Sequence, residues 1–94
     1  MSTTAARRAW QTLTTVRRVI AIEAMSAAHA LRWRLEQEPD TRLGRGTRAA
    51  YDAVISVLSD EGTPSARIAA VEQAIADGRL VRAVREAGVT GDAL

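Results

Sequence analysis

Val19-Ile20-Ala21-Ile22-Glu23-Ala24-Met25-Ser26-Ala27-Ala28-His29-Ala30-Leu31 is apolar almost all the way round when wound as a helix, interrupted only by Glu23, Ser26 and His29. A soluble helix that packs on one side shows one apolar stripe and a polar back. This stretch has no polar back, so it expects neighbours on several sides. It contains no Pro and no Gly, and neither does the sequence around it from Thr4 to Gln37. Ala, Arg, Leu, Glu and Gln dominate there, which predicts one continuous helix over 4–37, ~50 Å long at about 1.5 Å per residue.

Upstream of the quoted stretch the pattern is amphipathic. Ala6, Ala9, Trp10, Leu13, Val16 and Ile20 recur at three-to-four spacing, with Arg7, Arg8, Gln11, Arg17 and Arg18 between them. Downstream, Pro39 stops the helix, because its ring cannot continue the ladder and restrains Glu38 before it. Thr41 to Gly46 reads as a loop with two flexible glycines, and Thr47 as the N-cap of a second helix over 47–59. Ala50, Val54, Val57 and Leu58 form its apolar face. Asp60-Glu61-Gly62 breaks it. Thr63 before Pro64 is an N-cap with proline in the first turn, opening a third helix over 64–77 that carries Ile68, Val71, Ala74 and Ile75 on one face. A fourth spans 79–87, closed by Gly88, and the tail 89–94 frays. No period-two alternation is present, so the fold class is all-α: a single helical domain over 1–94, with three short helices returning against the C-terminal half of the long one.

The whole chain is 94 residues, 47% hydrophobic, with no Phe and only Trp10, Trp33 and Tyr51 as aromatics. A chain of that size buries a limited core alone. There is no cysteine, which excludes disulfides and thiolate metal sites, and the cytoplasm is the expected compartment. The N-terminus lacks the apolar block of a signal peptide, and no apolar run approaches the roughly 18 residues of a membrane span. All 13 basic residues are Arg, offset by 11 acidic ones to a net charge of +2. Arg7-Arg8 and Arg17-Arg18 share one flank of the helix, but no Lys and no stacking aromatics accompany them. A nucleic-acid interface ranks below a solvated or subunit-facing set of arginines.

No catalytic constellation can be assembled from these residues. His29 is the sole histidine, so a metal cluster or a His-based catalytic pair is excluded within one chain, and it reads as a structural histidine. Leu43-Gly44-Arg45-Gly46-Thr47 lacks the strand and the Lys of a phosphate-binding loop. Asp40, Asp52 and Asp60 lie beside turns or on exposed faces and read as caps and solvated charge. Glu23 has Val19, Ile20, Ser26 and Ala27 as its helical neighbours, with no Arg at those spacings. It either faces solvent or takes a partner from another helix.

Two stretches, Val16-Arg17-Arg18-Val19-Ile20-Ala21-Ile22-Glu23-Ala24-Met25-Ser26-Ala27-Ala28-His29-Ala30-Leu31 and then Leu43-Gly44-Arg45-Gly46-Thr47-Arg48-Ala49-Ala50-Tyr51, resemble the C-terminal region of the aromatic amino acid ammonia-lyases and aminomutases, the family of histidine and phenylalanine ammonia-lyase. Order and spacing both fit, and the likeness extends to Ile75-Ala76-Asp77-Gly78-Arg79-Leu80-Val81 near the family's end. It departs at Asp60 to Pro64, where the family has a longer linker. Met1-Ser2-Thr3-Thr4 matches the family from the Met that closes an active-site run, Gln-Glu-Asp-His-Val-Ser-Met. The Gln and Glu of that run are absent here, as is the Ala-Ser-Gly tripeptide that forms the methylidene-imidazolone group.

The resemblance therefore implies a small, non-catalytic subunit of a split lyase or aminomutase, or an orphaned fragment with another role; a Met at the motif boundary favours the split. On this reading the methylidene-imidazolone cofactor belongs to a large subunit, with no cofactor or metal in this chain. The long helix joins the central bundle of a hetero-oligomer of two large and two small chains or of four of each, the second being favoured. Met1, Ser2 and Thr3 border the partner's active site, and Trp10, Leu13, Val16, Val19, Ile20, Ile22, Glu23, Met25 and Leu31 bind the partner. The rival expectation is a freestanding helical module that self-associates through its long helix.

Overall fold

The computed structural model describes residues 2–58 and 62–89. Four helices follow in order: α1 (Thr3–Gln37), α2 (Arg45–Val57), α3 (Pro64–Ala76) and α4 (Arg79–Glu86). No strand occurs among the described residues. The chain is all-helical, one long helix with three shorter ones, as the periodicity requires.

Local chemistry sets the ends. Ser2 caps α1, its Oγ accepting from the backbone N–H of Ala5 at 3.1 Å. At the other end Glu38 closes the last turn on Arg34 at 2.8 Å before Pro39 intervenes. Thr63 caps α3 in the same way through Ala66, with Pro64 in the first turn. Gly78, at φ 78°, supplies the left-handed residue that turns α3 into α4.

Two features differ from the sequence-based expectation. Helix α2 begins at Arg45, capped by Gly44 rather than Thr47, because Gly44 takes the extended cap conformation and its carbonyl accepts from Arg48 at 2.8 Å. Only the first glycine is loop. Gly46 is helical, and its missing side chain lets α4 close in: a Cβ there would stand 3.2 Å from Val89 Cγ2 and 3.8 Å from Val84 Cγ1. The second difference is the return path of the short helices. Only α2 lies against the C-terminal half of α1, where Tyr51 and Val54 meet Ala24, Ala28 and Leu31. Helix α3 instead runs antiparallel to the earlier half, with Ser65 and Ile68 beside Arg18 and Gln73 and Ala76 beside Trp10 and Thr14. Helix α4 rests mainly on α2. The expected break at Asp60-Glu61 and all but the first residue of the tail lie outside the described residues.

The assembly is flat. Its Cα extents are 54 × 37 × 15 Å, and a helix with its side chains is itself about 10 Å across. Between Cα atoms that thickness holds two packed helices and no third layer to cover them. The fully buried hydrophobic residues among those described are accordingly few and small: Ala21, Ala28, Val54, Val71 and Ala74. Ala24, Tyr51, Ile55, Ile68 and Leu80 border them, half-buried.

Candidate functional site: an uncovered face of the long helix

On α1 the buried and half-buried residues Thr14, Arg17, Ala21, Ala24, Ala28, Leu31 and Leu35 follow one another in alternating steps of three and four, with half-buried Met25 beside them. This is the 3.5-residue seam of helix pairs. At its centre stand alanines, whose small side chains let α2 and α3 approach closely. Leu13, Val16 and Ile20, the larger apolar stripe of the amphipathic half, are turned away from this seam and exposed. Val19 is 51% and Ile20 45% exposed, and Ile22 is exposed as well. The covering helices thus select the small-residue face of α1 and leave its bulky face open.

The residues singled out in the sequence fall into two groups. Trp10, Leu13, Val16, Val19, Ile20, Ile22 and Glu23 are exposed. At about 100° per residue, Val19 lies opposite Ala21 and Ala28, with Val16 and Ile22 to either side of it, while Leu13 borders the edge of the covered seam. Met25 and Leu31 are half-buried, Leu31 against α2. There an apolar groove of about 270 Å³ is walled by Ala24, Ala27, Leu31, Ala50, Tyr51 and Val54. Trp10 stands beside Gln73 and Ala76 near the end of α3 with 64% of its surface exposed. Ser2 and Thr3 sit at the exposed start of α1, and Met1 lies outside the described residues. His29 is exposed, so the reading as a structural histidine on a covered face does not hold in this chain.

Two contacts escaped the sequence reading. Arg18 Nε donates to Glu72 Oε1 at 2.9 Å, tying α1 to α3 across 54 positions. Asp77 clasps the start of α4: its Oδ1 accepts from the backbone N–H of Arg79 at 3.0 Å and its Oδ2 from the guanidinium at 2.8 Å. These donors hold the Asp77 carboxyl below its ordinary pKa, the side-chain bond from Arg79 contributing most. The Asp-Gly-Arg order at 77–79 could have signalled the clasp; nothing local could have signalled Glu72. Three further ion pairs are exposed and local, Arg32–Glu36, Arg34–Glu38 and Arg48–Asp52, each four residues apart.

Among the described residues no group of three His, Asp or Glu side chains is placed to hold a metal ion, and no buried side-chain nitrogen or oxygen lacks a hydrogen bond. No described helix is long and apolar enough to cross a membrane. What the arrangement offers is a surface: a long helix with a covered small-residue side and an open bulky side.

Comparison with known proteins gives that surface a context. No family model matches the chain, and no solved structure does. Curated proteins do. The chain is 42% identical over 87 residues to a histidine ammonia-lyase of Symbiobacterium thermophilum, covering 89% of this chain and 16% of that enzyme. It is 37% identical over 84 residues to one from Natranaerobius thermophilus, covering 86% and 16%, and 46% identical over 52 residues to one from Streptococcus pyogenes, covering 55% and 10%. The chain spans about a sixth of the length of the first two. In those proteins the matching stretch is one part of a much longer polypeptide. This chain is a homologue of the C-terminal region of the ammonia-lyase family.

Proposed function

We propose that this chain is a non-catalytic subunit of an aromatic amino acid ammonia-lyase or aminomutase, packing α1 into the helical bundle of a larger polypeptide that carries the active site. The observation that supports this most directly is the open face of α1, where Leu13, Val16, Val19, Ile20 and Ile22 stand exposed on a helix whose other side is already covered. Contiguous apolar patches of this kind mark interaction surfaces. The relatives supply a source for the cover, since the matched stretch is only 16% of their length.

In this reading the larger polypeptide provides the methylidene-imidazolone group and the acid–base residues. The small chain supports that site: α1 fills the bundle, and Met1, Ser2 and Thr3 border the partner's active-site loop. The assembly contains four copies of each chain and resides in the cytoplasm.

Complementation tests the proposal. The Symbiobacterium thermophilum histidine ammonia-lyase, shortened by the segment that this chain matches, is co-expressed with and without it. Co-purification of the two, with recovery of tetramer and of ammonia release, is the expected result. A shortened enzyme equally active and tetrameric without the small chain overturns the reading.

A further inference from the structure

Glu23 occupies the middle of the open face. At about 100° per residue, Val16 and Ile20 flank it on one side and Val19 and Ile22 on the other, and all four are exposed. Ala27, one turn further along, extends the same apolar ground. From Val19 to Leu31, Glu23 is the sole acidic residue and there is no Arg. The nearest arginine before that stretch, Arg18, is taken up by Glu72 on the opposite side of the helix. Arg34, which shares the angular position of Glu23 about three turns on, pairs with Glu38. Among the described residues neither arginine therefore serves this carboxylate.

Covering the apolar ring removes water from Glu23 as well. A carboxylate buried without a counter-charge is costly, and a partner that left it unpaired would bind weakly. We infer that Glu23 pairs with a basic side chain of the larger polypeptide, and that this pair fixes the register of α1 in the shared bundle. Apolar side chains alone define a register poorly, because a helix sliding by one turn finds similar contacts. A single polar position within such a seam specifies it. The inference rests on the subunit reading and adds to it the chemistry of the partner's surface.

The test uses the full chain and the shortened Symbiobacterium thermophilum enzyme as probe, with affinity measured by titration. Glu23→Gln is expected to weaken binding by about 30-fold or more, the usual scale for truncating one member of a buried charged pair. Glu23→Arg is expected to abolish it, and replacing one particular basic residue of the probe by Glu is expected to restore it. Unchanged helicity of each free variant by circular dichroism locates the effect at the interface. Full affinity of Glu23→Gln, or failure of every basic-to-Glu probe variant to rescue Glu23→Arg, overturns the pairing while leaving the subunit reading intact. A probe that does not bind the unmodified chain overturns both.

Discussion

Arg18 and Glu72 lie 54 positions apart in sequence and 2.9 Å apart in space, the Nε of one donating to a carboxylate oxygen of the other. The pair sits at the edge of the α1–α3 seam, with the Arg18 side chain 63% and the Glu72 side chain 21% exposed. Water and salt screen a pair so placed. A double-mutant cycle of Arg18→Ala and Glu72→Ala is expected to give a coupling of about 0.2–1 kcal/mol, shrinking as salt is raised. A coupling well above that range would mean that the two charges are more shielded than their exposure indicates.

Packing beneath the pair matters more. Val71 and Ala21 are both fully buried in this seam. Val71→Ala is expected to cost about 1–3 kcal/mol by urea denaturation, through lost apolar contact and an unfilled hole. Ala21→Leu is expected to cost about as much by the opposite route, since added bulk forces α1 and α3 apart.

At the start of α3, Thr63 Oγ1 accepts from the N–H of Ala66 at 3.1 Å. Thr63→Ala leaves that donor without its partner and is expected to lower stability by about 1 kcal/mol, whereas Thr63→Ser restores most of it. Thermal melts followed by far-ultraviolet circular dichroism compare the three chains.

Asp77 contributes to the acid limb of stability. Its pKa is lowered from 3.8, first by the side-chain bond from Arg79, against the opposing effect of desolvation. A folded-state value below the unfolded one contributes stability in full above the ordinary carboxylate range. That contribution disappears as pH falls through the folded value. Carboxyl titration by NMR is expected to place the Asp77 midpoint below 3.8. Asp77→Asn is expected to flatten the loss of stability over the same acid range.

The open face yields a prediction of a different kind. Ile20→Asp places a second carboxylate beside Glu23 without touching the covered seam. The isolated chain is expected to keep its helicity, and co-purification with the shortened ammonia-lyase is expected to be lost. Retention of the complex would move the interface elsewhere on the molecule.

Helix existence was legible because its determinants are local. The Pro- and Gly-free run to Gln37, Pro39, and the Thr63-Pro64 pair each act within a turn or two, and the structure places helix ends within two residues of where they point. Gly44 and Gly46 were harder to tell apart, since what distinguishes them is Val89 approaching the second from far along the chain. The arrangement of the helices was least legible. Leu13, Val16 and Ile20 look more like a core stripe than Ala21, Ala24 and Ala28 do, and hydrophobicity alone ranks them that way. Close helix approach rewards the smaller side chains, so the later helices took the alanine side. The breadth of the apolar zone over Val19 to Leu31 did carry that information, as a surplus that one side of packing could not absorb.

The 15 Å thickness of the molecule bears on how such a chain persists in a cell. A molecule this thin leaves Val19 and Ile20 about half exposed to the chaperones and proteases that recognise unfinished folding. On the proposed subunit reading, copies made in excess of the larger polypeptide are expected to be degraded, so that the amount of this chain follows the supply of that polypeptide.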